Sequence, residues 1–315
     1  MAVGSRPFVP SRLAPGGVAH GSRRTPTTVL GAYIALTKPR IIELLLITTV
    51  PTMVLAQQGW PPTSLVIITL IGGTLAAGGA NAVNMYVDRD IDALMARTRN
   101  RPLVTGVIPA RNALIFALSL QVAAFAVLWA GANLLSAVLA FGAAAFYVGI
   151  YTLWLKRTSR QNIVIGGAAG AVPVLVGWAA VQDSLAWPPI LLFLAMFLWT
   201  PPHFWALAVK YADDYRAADV PMLPAVAPLE QVVKQMLAYT VALVITTLLL
   251  VPVADLGWIY GISAAVLGAI FIGGTIALGK HPTPAASMRL FGYSITYVTL
   301  LFGAMTLDVF VHYGF

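Results

Sequence analysis

A chain of 315 residues that is 59% hydrophobic and only 10% charged, with a mean hydropathy of +0.84, is composed for a bilayer rather than for water. A soluble domain carries roughly 25% charged residues. Cysteine is absent, which excludes disulfides, thiolate catalysis and Cys-held metals or haem. The net charge of +8 and a pI near 9.9 would suggest nucleic acid in a soluble protein. No stretch interleaves basic and aromatic residues on a soluble face, so no nucleic-acid partner is expected.

The first 30 residues read as a disordered basic tail. They carry Arg6, Arg12, Arg23 and Arg24, several Pro and Gly, and no acid. The apolar core of a secretory signal is missing, although the Arg-rich, acid-poor composition also fits an organellar presequence. Residues 31–315 read as a single transmembrane domain. A spanning helix takes about 20 mostly apolar residues. Nine candidates follow in order: 37–57, 63–87, 112–131, 134–155, 163–181, 188–210, 232–254, 257–279 and 288–309. The expected fold is therefore all-α, a polytopic bundle of nine transmembrane helices. Short connections such as Gly131-Ala132-Asn133 make successive helices antiparallel neighbours.

Nine spans put the tail and loops 2–3, 4–5, 6–7 and 8–9 on one side. All 19 Lys and Arg fall there. Basic residues collect in cytoplasmic loops, so the N-terminus is expected in the cytoplasm and the C-terminus outside. Eight of the eleven acids share that side: Glu43, Asp88, Asp90, Asp92, Asp213, Asp214, Asp219 and Glu230. Orientation does not require this, because Asp and Glu contribute little to it.

Span 2 ends in Asn84, Asp88 and Asp92, spaced i, i+4, i+8. On a helix such residues form one stripe. An amide and two carboxylates at a membrane mouth suit a hard cation, and Mg²⁺ combines a few carboxylates with substrate phosphates and water. Arg97, Arg99, Arg101 and Arg111 follow, and guanidinium forks suit phosphate. Two readings are open: a solvated helix end laced by ion pairs, or a Mg²⁺-diphosphate site. The stripe, the neighbouring Asn81 and the Arg cluster favour the second. Another acidic group, Asp213-Asp214 with Asp219, follows span 6 beside Lys210. Spans 2 and 6 are four apart, so both groups emerge on one face and could clamp a diphosphate between them.

Lys156, Arg157, Arg160 and Asn162 occupy the 4–5 loop, either as membrane anchors or as phosphate contacts. Aromatic residues such as Phe141, Tyr147, Trp178 and Trp199 read mainly as packing or lipid-facing, and a few could line a greasy cavity. Pro201-Pro202-His203 is expected to interrupt span 6. His203 then either hydrogen-bonds at a kink or contacts substrate in a cavity. The small residues of span 2, Gly72-Gly73 through Gly78-Gly79-Ala80, permit close helix packing.

Together these segments resemble the intramembrane aromatic (UbiA-type) prenyltransferases, specifically their protohaem IX farnesyltransferase branch. The superfamily mark is Asn84-x3-Asp88-x3-Asp92. The branch is marked by Leu36-Thr-Lys38-Pro-Arg40, Arg97-Thr-Arg-Asn-Arg101-Pro-Leu, Lys156-Arg157 before Asn162-Ile-Val-Ile-Gly-Gly, Trp199-Thr-Pro-Pro-His203-Phe-Trp and Val220-Pro-Met-Leu-Pro224. The resemblance covers roughly residues 33–300. It implies nine helices around a central cavity, in a bacterial or archaeal plasma membrane, with the active site on the cytoplasmic face. The implied reaction transfers farnesyl from farnesyl diphosphate to a vinyl group of haem b, with addition of water. Haem O results, for terminal oxidases or for haem A. Haem A synthase or oxidase assembly factors are further partners it implies.

Residue by residue, the resemblance puts Mg²⁺ on Asn84, Asp88 and Asp92, with Asp214 and Asp213 completing a clamp. Asp88, Asp92 and Asp214 would be the catalytic acids. Lys38, Arg40, Arg97, Arg101, Lys156 and Arg157 would neutralise the leaving group. Asn162, His203 and Lys210 are further substrate-contact candidates. Two positions depart from the pattern. Lys210 stands one turn before Asp214, where the superfamily often has an acid, and Asp219 stands where Gly is expected. The nearest alternative is a sibling enzyme with a quinone-precursor or chlorophyll-like acceptor. A transporter or lipid-binding protein would instead spread charge across the midplane.

Overall fold

The computed structural model describes residues 28–314. Most of the tail expected over 1–30 lies outside them, and so do the side chains at 40–42 and 44–46. The regular elements are all helical. They are α1 (Val29–Thr37), α2 (Pro39–Gln57), α3 (Thr63–Val87), α4 (Arg89–Leu94), α5 (Ala110–Gly131) and α6 (Leu134–Phe146). A π-helical segment (Tyr147–Leu155) and α7 (Lys156–Thr158) continue α6 without a break. Then come α8 (Asn162–Gln182), α9 (Trp187–Lys210), α10 (Ala212–Ala217), α11 (Leu223–Val226), α12 (Leu229–Val253), α13 (Trp258–Lys280) and α14 (Pro284–Tyr313).

Among the described residues, eight helices are long and apolar enough to cross a membrane: α3, α5, α6 through α7, α8, α9, α12, α13 and α14. The remaining span, the first of the nine expected (37–57), falls on α2, whose residues Ile47–Gln57 form a shorter apolar stretch. Contacts run from α3 through α5, α6, α8, α9, α12, α13 and α14 to α2, and α2 touches both α3 and α8. The bundle thus closes on itself.

Local chemistry sets the helix ends. Asn133 caps α6 by accepting from the Ser136 N–H at 2.8 Å, while its own amide donates to Ala179 O at 2.6 Å. One side chain so ties the start of α6 to the end of α8. Thr283 accepts from Ala286 N at 3.1 Å, with Pro284 opening α14. Asp308 caps α13 from a different helix, accepting from Gly257 N (2.5 Å) and Tyr260 N (3.0 Å). These bonds satisfy helix-end donors that have no partner within the helix.

In α3 the glycines serve close approach. A Cβ on Gly72 would run into Leu128 of α5, and one on Gly79 would lie 2.7 Å from Gln121. Gln121 uses the contact, donating to Ala76 O at 2.7 Å. Outward faces carry exposed apolar side chains such as Leu118, Val122 and Trp129 on α5, as lipid demands.

Three sequence expectations are revised. Pro201 and Pro202 do not interrupt α9, which runs unbroken to Lys210 with both prolines buried; packing against neighbouring helices tolerates the lost N–H groups. The fourth span is not uniformly α-helical. The stripe does not lie on one continuous helix either: the chain bends at Asp88 (φ −84, ψ 3) between α3 and α4. Hydrogen bonds of four-residue spacing persist on both sides, from Asp88 N to Asn84 O and from Asp92 N to Asp88 O.

Candidate active site

The end of α3, α4, the π-helical segment with α7, and the α1–α2 joint converge on Asn84, Asp88 and Asp92. All three are buried, Asp88 completely. A buried carboxylate must be paired or hydrogen-bonded, and each of these is. Asp88 Oδ2 accepts from Asn84 Nδ2 at 2.7 Å and from Lys156 Nζ. Asp92 accepts from Arg101 at 2.5 Å. Arg157 forks onto Asp90 with two bonds of 2.7 Å and stands 3.8 Å from Asp88 Oδ1. That fork holds the Asp90 carboxyl down at about 2.

Lys38 enters from the α1–α2 joint. Its backbone is left-handed (φ 53), a conformation that costs a non-glycine residue roughly 1–2 kcal/mol. Pro39 behind it disfavours the ordinary helical region. The joint delivers Lys38 Nζ to Asn84 Oδ1 at 2.8 Å. Asn84 Nδ2 also donates to Thr152 Oγ1 at 3.1 Å, so its amide orientation is fixed from both ends. Asn81, one turn earlier, donates to Thr37 O at 3.2 Å and holds α1 against α3.

The π-helical segment presents the facing wall. In such a segment residue i bonds to residue i+5, and Thr152 Oγ1 reaches back to Tyr147 O at 2.9 Å. Tyr147 and Tyr151 stack with ring centroids 5.3 Å apart. Both line a cavity of about 330 Å³ enclosed by α2, α3, α6 with its π continuation, α8 and α9. On α3 the cavity wall is Thr69, Gly73, Ala77 and Asn81, spaced four apart and in line with Asn84 and Asp88. The acidic stripe is thus the rim of the same helix face that walls the cavity.

The second acidic group divides. Asp214 stands 3.9 Å from Arg97 Nε, and the Arg97 guanidinium lies over the Tyr215 ring (5.0 Å) and the Tyr211 ring (5.7 Å). Arg97 therefore joins the segment after α4 to α10. Asp213 is not brought in: its side chain is 98% exposed and pairs with Arg216 at 2.5 Å. Lys210 is exposed and sits over Tyr211 (5.5 Å). Arg40 lies in the first turn of α2 with its side chain outside the described residues. His203 does not line the cavity. It is stacked between Trp199 (4.0 Å) and Phe291 (4.6 Å), with Nδ1 2.6 Å from Ser294 Oγ. Asp219, in place of the expected glycine, adopts φ 51, a region that glycine enters freely and Asp visits more readily than most residues.

The sequence reading missed Thr152 and the Asp90–Arg157 fork. Thr152 was findable, since it stands four residues before Lys156 and so shares its face. Among the described residues, Lys38, Arg97, Arg101, Lys156 and Arg157 gather with Asp88, Asp90, Asp92 and Asp214 at the mouth, so donors that suit an anion stand beside the acids. Unused polar atoms remain: Asp88 Oδ1 and both amide atoms of fully buried Asn162 have no hydrogen-bond partner. The carboxylate and amide oxygens there are hard donors of the kind Mg²⁺ takes. Among the described residues no three His or acidic side chains converge into a metal cage. Mg²⁺ needs none, since it makes do with one or two carboxylates plus phosphate and water.

Fold and site together define a class: helical membrane proteins with a largely apolar cavity beside an acid–base cluster at a helix end. Within it the chain belongs to the UbiA prenyltransferase family, whose profile matches residues 45–303. It is 53% identical over 285 residues to the protoheme IX farnesyltransferase of Pseudarthrobacter chlorophenolicus, covering 89% of each chain. It is 50% identical over 286 residues to that of Streptomyces avermitilis, covering 89% of this chain and 94% of the relative. Among solved structures, a digeranylgeranylglyceryl phosphate synthase shares the fold with TM-score 0.74 at 17% identity, over 89% of this chain and 98% of that one. So does a UbiA homologue from Archaeoglobus fulgidus bound to DMAPP and Mg²⁺, with TM-score 0.61 at 17% identity, over 86% and 100%.

Proposed function

We propose that the chain transfers a farnesyl group from farnesyl diphosphate to a vinyl carbon of haem b, with addition of water, giving haem O and diphosphate. The observation that carries this reading is the identity of about half the residues, along nearly the whole length, to enzymes named for that reaction. The site supplies the chemistry. The farnesyl C1–O bond breaks and its electron pair leaves with diphosphate. Lys38, Arg97, Arg101, Lys156 and Arg157 stand where that charge develops, and fixed cations in a dry site stabilise it strongly. Asn84, Asp88 and Asp92 would hold Mg²⁺, with Asp214 at the edge of the set. The bound ion supplies Lewis-acid stabilisation of phosphate oxygens.

The cavity under the stripe takes the apolar chain and keeps water from the allylic cation. The rings of Tyr147 and Tyr151, in its wall, offer π faces to that cation. The haem vinyl carbon then bonds to farnesyl C1. Water adds to the cation left beside the porphyrin and releases a proton. The gathering of basic residues on one side supports a mouth on the cytoplasmic side of a cell membrane, where diphosphate donors are available. The test is expression of the chain in cells lacking haem O synthesis, followed by extraction of membrane haems. A haem carrying the hydroxyethylfarnesyl mass is expected. A folded protein that yields none would overturn the acceptor assignment.

A further inference from the structure

Glycine is costly inside a helix, because it gives up the most backbone freedom on folding. Four glycines line the cavity: Gly73 on α3 and Gly166, Gly167 and Gly170 on α8. Neighbours account for two of them. A Cβ on Gly166 would run into the Tyr151 ring, and one on Gly167 would come within 2.8 Å of the Thr200 methyl. Gly73 and Gly170 are different, since a Cβ on either meets nothing within 4 Å. Helix packing therefore does not require them. The space beside each is open at the cavity wall, with Gly73 half-buried and Gly170 exposed.

Both also lie well along their helices. Gly73 is eleven residues along α3 from Asn84, which places it about 16 Å below the mouth at the helical rise. Gly170 is eight residues, about 12 Å, along α8 from Asn162 at the start of that helix. The chain of a diphosphate held at Asn84 and Asp88 would pass both positions only if it extends well beyond its first isoprene units. The donor reading above underlies this inference. We propose that Gly73 and Gly170 set the donor's chain length, by leaving the space that its third isoprene unit fills.

The test is donor binding by the full-length protein in detergent with Mg²⁺, using inorganic, geranyl, farnesyl and geranylgeranyl diphosphates. The variants are Gly73→Leu and Gly170→Leu, each on its own helix. Each Leu variant is expected to bind farnesyl diphosphate at least about tenfold less well relative to geranyl diphosphate, in the range that pocket-filling groups produce. Affinity for inorganic diphosphate should stay within about twofold, which also verifies the mouth and the fold. Should either Leu variant fail that check, the Gly73→Ala/Gly170→Ala pair decides, with a smaller shift in the same direction expected. Equal losses for geranyl and farnesyl donors, or an unchanged preference, would overturn the proposal. Because the readout needs no haem, failure of the acceptor assignment does not reach it. A wild-type protein that binds farnesyl diphosphate no better than inorganic diphosphate would overturn it together with the donor reading.

Discussion

Two corners of the bundle are built alike and behave differently. In each, a long membrane helix ends and a six-residue helix turns away with acids in its first turn: α3 into α4 with Asp90 and Asp92, and α9 into α10 with Asp213 and Asp214. At the first corner Asp88 and Asp92 are buried and bonded to Lys156 and Arg101. At the second, Asp213 faces solvent, and among the described residues Asp214 has Arg97 as its ion-pair partner, at 3.9 Å. The difference lies in the neighbours. The first corner packs against the π-helical segment and α7, which project Thr152, Lys156 and Arg157 across it. No comparable cation comes to α10 from another membrane helix among the described residues. Its one interhelical charge partner, Arg97, belongs to the first corner. The acids of similar sequence are therefore unequally placed: on the proposed function the first corner would hold the reacting head group, while Asp214 of the second stands beside Arg97.

The largest effect should follow from breaking the first corner. Asp88→Asn keeps the shape but removes the charge, and should lower turnover by about 10²–10³-fold, the scale seen when one preorganised electrostatic group is removed. Farnesyl transfer by purified protein measures it, with thermal unfolding in detergent as the control for folding. Activity near wild type would end the claim that this corner is the reactive one.

Lys156→Met comes next and separates catalysis from stability. It leaves the buried Asp88 charge without its closest cation and with the more distant Arg157, 3.8 Å from Oδ1, in its place, and the cost should approach the roughly 3–5 kcal/mol of breaking a buried pair. The Asp88→Asn/Lys156→Met double variant should regain most of that stability while staying inactive. If the double variant is as unstable as Lys156→Met alone, the pair is not what holds the corner. The second corner should give less. Asp214→Asn is expected to lower activity about tenfold through Arg97, at most ~1.4 kcal/mol of transition-state stabilisation. Asp213→Asn should stay within about twofold, as exposed pairs contribute little. Equal losses at the two positions would make the corners equivalent after all.

How much of this contrast the sequence announces depends on what enforces each feature. Lipid enforces the spans, since a membrane helix must satisfy its own backbone. The edges of α3, α6 and α8 accordingly fall within a residue or so of the expected 63, 134 and 163. Charge sorting enforces which ends gather the acids and bases. The stripe at Asn84, Asp88 and Asp92 was legible from spacing alone. The partners were not, because Lys156 lies 68 residues from Asp88 and reaches it only when the π-helical segment packs beside α3. The inequality of Asp213 and Asp214 was hidden for the same reason. Neighbours in sequence, they differ by which side of a six-residue helix faces Arg97. For His203 the sequence left two readings open, a hydrogen-bonded histidine or a cavity contact, and the α9 face that carries it meets Ser294 and Phe291 of α14.

The smallest expected effect concerns Asp90 and tests whether the first corner is held from its rim as well as from within. Arg157 forks onto Asp90 and holds its carboxyl at about 2, below the ordinary value of 3.8. A carboxyl whose folded pKa is depressed adds stability above its unfolded pKa and loses it as pH falls through the folded value. The contribution should thus be intact at pH 5 and decline between about pH 4 and pH 2. With the Asp90 side chain 60% exposed, solvent screening keeps it under ~1 kcal/mol. Asp90→Asn should therefore lower the unfolding temperature slightly at pH 5, and the gap from wild type should shrink on acidification toward pH 3. A gap that is constant across that range would assign the effect to shape rather than charge. In that case Arg157 would be free to serve Asp88 and the leaving diphosphate alone.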